Sequence, residues 1–339
     1  MLRRFVSFVL LLAIAAALFV VCFPQVVGLQ RSYGFSQLLA FRGVLVVVAV
    51  VAAVVILLLA LVIRPVRGFF GGLGVLLLVF AAVSAGVVVE RGTGSTSFDA
   101  KKSGDITVVA WNTEGGAPGS ATIAQLALAQ HANIVSLPET QRKTGDEVAA
   151  IMKRSGVTMS VLTLAYDQRD TALSTTLLIS ANLGEYETSA DKTTTPWLPT
   201  LVARPSDGDG PVIVAVHPAS PVKSHMADWR AGLKYLSKLC SGESMIMAGD
   251  FNSTLDHQSG LGATPSSSLG KCRDAAKVTS NAGVGTWPTN VPELLATPID
   301  HVMNTSDYTV TGFKVITNQD SAGSDHRPIV AQLTPRASD

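Results

Sequence analysis

The first 90 residues constrain this chain more than anything after them. Three apolar runs, at about 5–23, 43–63 and 68–89, carry no charged side chain. Each approaches the roughly 20 residues that a helix needs to cross about 30 Å of hydrocarbon. The charges gather at their ends. Arg3 and Arg4 precede the first run, Arg42 the second, and Arg64 and Arg67 bracket the separator before the third. A short basic separator is the form of a cytoplasmic turn. With Arg3, Arg4, Arg64 and Arg67 on one side against Arg31 and Arg42 on the other, the bias predicts three spans starting from the cytoplasm. Residue 90 onward is then delivered outside. Two other readings exist: a cleaved signal peptide over the first run, or helices buried inside a soluble protein. Uncharged runs of this length favour the bilayer.

Residues 91–104 are small and polar and read as a linker. Only six of the 26 basic residues and one of the 25 acidic residues fall within 1–90, which leaves the remainder with a formal charge of −4, against +1 for the whole chain. That balance argues against a broad basic surface for nucleic acid. Cys22 lies within the first run, as an apolar filler. Cys240 and Cys272 are the only cysteines beyond it. In an oxidising compartment they can pair; otherwise they are two buried thiols. Neither has a Cys or His neighbour at metal-ligand spacing.

From residue 105 to 335, apolar β-branched runs alternate with helical patterns, which predicts a mixed α/β (α+β) domain. Strands are expected near 106–111, 133–138, 159–165, 171–180, 198–204, 212–216, 244–248, 299–303, 308–316 and 327–333. Helices are expected near 120–131, 146–155 and 225–240. The informative regularity is where polar residues fall. Asn112, Glu139, His217, Asp250 and Asp300 each lie at or beside a strand end, and strand ends gather side chains into one rim. Carboxylates, amides and histidines sharing a rim call for a cation among them. Glu139, Asp325 and the Asn112 amide oxygen form a donor set suited to Mg²⁺, with Mn²⁺ or Ca²⁺ as alternatives. Hydrolysis of a phosphoester also needs a base for water and donors for the developing charge. His326 supported by Asp300, with donors from His217 and Asn252, has the required chemistry.

In their order along the chain, Trp-Asn112-Thr-Glu, Leu-Pro-Glu139-Thr, Val-His217-Pro, Gly-Asp250-Phe-Asn252, Ile-Asp300-His-Val and Ser-Asp325-His326-Arg-Pro resemble the endonuclease/exonuclease/phosphatase superfamily. The resemblance spans about 105–335 and implies a four-layer α/β/β/α sandwich of the DNase I type. It implies metal-binding roles for Asn112, Glu139 and Asp325, a phosphate contact or general acid at His217, and a nucleophile-positioning Asp250. It further implies a phosphate-holding Asn252 and a catalytic His326 oriented by Asp300. One departure is Pro138, where the family commonly has Gln. The Ala-, Val- and Gly-rich composition with membrane spans looks similar to actinobacterial cell-envelope members. The four tryptophans, Trp111, Trp197, Trp229 and Trp287, are scattered and read as core.

The leading expectation is therefore an extracytoplasmic, membrane-anchored, metal-dependent phosphodiesterase or phosphatase acting on an envelope, lipid-linked or small phosphoester. A surface nuclease is the alternative enzyme. A catalytically inactive binding or adaptor domain is the alternative of another class.

Overall fold

The computed structural model describes residues 1–94, 97–189 and 194–336. Residues 95 and 96 of the segment read as a linker therefore lie outside the described residues. The chain divides into two compact units, Met1–Arg91 and Gly92–Asp339.

The first unit contains α1 (Leu2–Cys22), α2 (Phe35–Ala40), α3 (Arg42–Val62) and α4 (Arg67–Arg91). The span of α1, that of α3 and the segment Arg64–Arg91 are each long and apolar enough to cross a membrane. Small residues let these helices approach one another. A Cβ on Gly74 would run into Leu57, and one on Gly72 into Leu11. The buried Arg42 donates to the Cys22 carbonyl at 3.2 Å, at the C-terminal end of α1, where helix carbonyls lack partners. Meanwhile α3 exposes Val47, Val48, Val51, Val54 and Leu58. Helices buried in a water-soluble core would hide such a surface; a lipid-facing helix would not.

The second unit runs β1 (Ile106–Ala110), α5 (Gly119–Ala129), β2 (Ile134–Pro138), α6 (Arg142–Arg154), β3 (Met159–Ala165), β4 (Ser174–Ser180), β5 (Tyr186–Thr188), β6 (Leu201–Pro205) and β7 (Val212–Val216). It continues through α7 (Met226–Leu239), β8 (Met245–Asp250), α8 (Leu255–Gln258), β9 (Arg273–Asp274), α9 (Ala275–Val278), β10 (Asp300–Asn304), β11 (Tyr308–Val315) and β12 (Ile329–Pro335). The strands form two six-stranded sheets, ordered β11-β12-β1-β2-β4-β3 and β5-β6-β7-β8-β10-β9. Each contains a parallel pair, β1 with β2 and β7 with β8. A parallel pair needs a crossover, which α5 and α7 provide.

Alternation of side chains along each strand divides the core into layers. Val108, Ala110, Ile134, Ile213, Ala215, Ile246 and Ala248 share the central core. The intervening Val109, Trp111, Val135 and Leu137 pack with residues of α5 and α6, and Val214, Val216, Met245 and Met247 with residues of α7. Both faces of these strands are thus buried, and this is why they read as unbroken apolar runs. The result is the expected α/β/β/α sandwich. Ser136 on β2 crosses between the sheets, donating to the Ala248 carbonyl at 2.7 Å.

Cys240 and Cys272 form a disulfide with Cα atoms 5.9 Å apart, which ties the end of α7 to the segment entering β9. Phe98 and Asp99, within the segment read as a linker, lie along β11: Phe98 bridges to Gly312, and the Asp99 N–H reaches the Thr311 carbonyl at 2.8 Å. The strand expected from residue 198 starts at Leu201, because Thr195 donates to the Leu198 carbonyl and to Thr200 Oγ1, and so holds that stretch as a loop. The helix expected from 146 starts earlier, at Arg142.

Candidate active site

β1 runs parallel to β2 and β7 to β8, and the four strand ends meet, so Asn112, Glu139, His217 and Asp250 collect at one edge of the sandwich. β10 runs antiparallel to β8 in a register that sets Asp300 opposite Asp250. The segment leading into β12 is pinned over the end of β1. There the Trp111 indole donates to the His326 carbonyl at 2.8 Å and Ser324 Oγ to the Asn112 carbonyl at 2.6 Å.

Local backbone shape aims these side chains. Glu139 and Asn252 hold φ of 54° and 47°, left-handed values that few non-glycine residues adopt. Such conformations persist only where surrounding structure enforces them, and they cluster at functional sites. Gly249 has φ 144°, and a Cβ there would meet the Val216 carbonyl, so only glycine lets β8 lie this close to β7 before Asp250.

All eight residues expected from the sequence lie at this edge. Asn112 Nδ2 donates to Glu139 Oε1 at 3.0 Å and to Asp250 Oδ2 at 3.2 Å. His217 Nε2 lies 3.6 Å from Glu139 Oε1 and 4.0 Å from Asp250 Oδ2. His326 Nδ1 is 2.9 Å from Asp300 Oδ2, while its Nε2 faces Asp250 Oδ2 and Asp325 Oδ1, each at 3.8 Å. The Asn252 N–H donates to Asp250 Oδ1 at 2.7 Å, and its side-chain amide donates to the Pro218 carbonyl at 3.0 Å. Asp325 stands at the rim with its side chain 44 % exposed and reaches the others through His326.

Burial and charge set the protonation chemistry. Burial, reinforced by the neighbouring Asp300 charge, pushes Asp250 up to about 6, although His326 and His217 pull the other way. For His326, burial alone would favour the neutral ring, but the charges of Asp300 and Asp250 outweigh it and raise the imidazole to about 10. Burial also acts to raise Glu139, but His217 and Asn112 reverse that and hold its carboxyl below the ordinary range. One edge therefore carries a carboxylate able to take a proton near neutrality beside an imidazole held cationic. Among the described residues, Asp250, Asp300 and His326 also form a group whose ligand-type atoms lie within 4.8 Å of one another. Within it the His326–Asp300 hydrogen bond occupies Nδ1, while Nε2 faces Asp250 at 3.8 Å. The hard-ligand set expected from the sequence, Glu139, Asn112 and Asp325, lies beside this trio at the same edge.

Sequence reading missed several contributors. Trp287 is half-buried rather than core; its indole donates to Asp325 Oδ2 at 2.7 Å, and its ring lies 6.4 Å from that of His326. Trp197, against the same expectation, is 53 % exposed and stacks on His225 at 4.0 Å; of the four tryptophans, Trp111 and Trp229 are core. Ser324 and Glu114 fix the final loop, Glu114 accepting from the Asp325 N–H at 3.0 Å. A lone Trp in a loop carries no periodic signal; Ser324 and Glu114 fall inside the quoted motifs, but their roles in bracing the loop needed the fold.

The sequence profile of the Endonuclease/Exonuclease/phosphatase family matches residues 109–326. No curated protein sequence matches the chain. Among solved structures, an endonuclease/exonuclease/phosphatase from Beutenbergia cavernae is similar, with TM-score 0.51 and 17% identity over 68% of this chain and 72% of that one. A humanized D. rerio TDP2 is similar at TM-score 0.51 and 17% identity, over 68% of this chain and all of that one (100%). D. rerio TDP2 complexed with single strand DNA product is similar at TM-score 0.50 and 18% identity, over 68% and 99%. At these identities the structures establish the DNase I-like fold alone. The profile, covering well over half of the chain, establishes more: this chain belongs to the endonuclease/exonuclease/phosphatase family.

Proposed function

We propose that the chain is a membrane-anchored, metal-dependent phosphoesterase whose catalytic unit works outside the cytoplasm on an envelope, lipid-linked or small phosphoester. Members of the family are generally hydrolases of phosphoester bonds. The observation that carries the reading is His326, hydrogen-bonded to Asp300 through one nitrogen and facing Asp250 with the other. That arrangement fixes the ring and supplies a proton acceptor beside a proton donor.

The donors present fit a hard divalent cation such as Mg²⁺, Mn²⁺ or Ca²⁺. Glu139 is held ionised and partly exposed, Asp325 opens to solvent, and the Asn112 amide lies against Glu139. Asn112 would offer the ion its amide oxygen, which here accepts the Glu114 N–H at 3.1 Å. Bound there, the cation would supply Lewis-acid stabilisation of phosphoryl oxygens. The chain's own residues do the rest. Asp250 takes a proton from the attacking water. His326 and His217 donate to phosphoryl or leaving oxygens, and the second N–H of the Asn252 amide holds the phosphate.

Two features support the external placement: the basic residues flanking the spans, and a disulfide, a bond that persists in oxidising compartments. A reporter fused after residue 339 tests it, and a cytoplasmic signal would reverse the placement. The spans favour a substrate held in the same layer, such as a phospholipid head group. A nuclease reading draws on the TDP2 structure with its DNA product. Full-length protein assayed on a phospholipid panel and on plasmid DNA separates the two: lipid turnover supports the proposal, and turnover of DNA alone replaces it.

A further inference from the structure

A second histidine–aspartate pair lies beneath the rim. His301 is 2 % exposed, with Nδ1 at 2.7 Å from Asp274 Oδ2 and Nε2 at 2.8 Å from the Ser253 carbonyl oxygen. We propose that Asp274 and His301 form a buried strut that holds the Asp250–Ser253 loop in its working shape, with His301 a positioning residue for the reaction.

The hydrogen-bond inventory carries this. A carbonyl oxygen can only accept, and a carboxylate without a proton can only accept. Both ring nitrogens of His301 therefore donate, and the ring is a buried imidazolium paired with Asp274. The other oxygen of Asp274 accepts the Lys277 N–H at 2.6 Å and caps α9, so the carboxylate is held from two sides. The loop above is in the left-handed conformation at Asn252 and needs restraint. Its carbonyls receive it from ring donors: Trp229 Nε1 grips that of Asn252 at 2.9 Å, and His301 that of Ser253. The Phe251 ring meets the His301 ring edge-on at 5.3 Å. Consecutive residues of a strand point to opposite faces. β10 thus turns Asp300 to His326 and His301 to the loop that presents Asp250 and Asn252. The Asp274 charge, together with the Ser253 carbonyl, raises the His301 pKa against the effect of burial, consistent with the cation.

The kinetic part of this inference rests on the phosphoesterase reading; the structural part does not. The test uses the full chain in detergent, with His301→Gln, His301→Ala and Asp274→Asn beside wild type. Two measurements apply: ¹⁵N-resolved imidazole proton signals, and kcat with KM on bis(p-nitrophenyl) phosphate, read on the folded fraction. We expect two ring N–H protons on His301 in wild type, with the Nδ1 proton moved upfield in Asp274→Asn. We expect kcat to fall on the order of 10–100-fold in His301→Ala, the scale of a misplaced reacting group. His301→Gln, which keeps one donor for the Ser253 carbonyl, should recover part of it. One ring proton in wild type overturns the strut. A folded His301→Ala, or His301→Gln if the first does not fold, with wild-type kcat overturns the positioning role. Wild type that turns over no phosphoester defeats the functional reading instead, and the ring-proton count still decides the strut.

Discussion

β10 carries two histidine–aspartate contacts, one on each face, and their contrast shows what burial alone does not decide. Asp300 engages His326, and His301 engages Asp274, at 2.9 and 2.7 Å. All four side chains are almost fully buried. The difference lies at the free end of each ring. His326 Nε2 faces two carboxylates at 3.8 Å, beyond direct hydrogen-bond distance and at an edge where Asp325 meets solvent. His301 Nε2 is consumed by a main-chain carbonyl. A histidine with one nitrogen fixed and one left available can exchange protons with a substrate. A histidine with both nitrogens fixed can only hold structure in place.

The predictions follow that division. The largest effect should come from His326→Ala, with kcat of the folded fraction falling about 10²–10⁴-fold, the range of positioned acid–base groups, alongside a lower thermal midpoint because Asp300 loses its buried partner. A folded variant with wild-type kcat would make His326 another strut. Second, Asp274→Asn should leave the His301 charge without its partner and destabilise the domain by about 3–5 kcal/mol, measured by urea unfolding. A loss under about 1 kcal/mol would mean that the pair is no ion pair. Third, Cys272→Ser opens a loop spanning 32 residues, and the chain-entropy model gives a loss of about 3–4 kcal/mol. Because Cys272 is two residues from Asp274, the loss should be less than additive with Asp274→Asn; strict additivity would uncouple disulfide and strut. The smallest effect concerns pH. The folded-state pKa of His301 is raised above 6.5, so its stabilisation is complete below 6.5 and declines as pH rises through the folded value. The gap in urea midpoint between wild type and His301→Gln should therefore narrow from about pH 6 to about pH 9. A gap that widens with pH would contradict the assignment.

How much of this was readable from residues alone differs between the two contacts. Asp300 and His326 lie at strand boundaries within motifs, and strand ends are legible because apolar β-branched runs stop there. The three long apolar helices were legible for the same reason, since an uncharged run of about 20 residues is long enough to cross a membrane. His301 and Asp274 were passed over. Asp274 belongs to a two-residue strand, too short for any period, and nothing local links it to a histidine 27 residues later. The short elements β5, β9, α8 and α9 escaped similarly. Trp287 is illegible in the sequence because an isolated tryptophan reads as core whether it fills an interior or, as here, braces Asp325 at the rim.

The central claim is that the rim at the strand ends hydrolyses phosphoesters with a bound divalent metal. It is tested most directly by assaying the full-length protein on bis(p-nitrophenyl) phosphate with Mg²⁺, with Mn²⁺ and with EDTA, beside His326→Ala. The account predicts turnover with metal, none with EDTA, recovery when metal is restored, and near-complete loss in the variant. Turnover that survives both EDTA and the loss of His326 would contradict it.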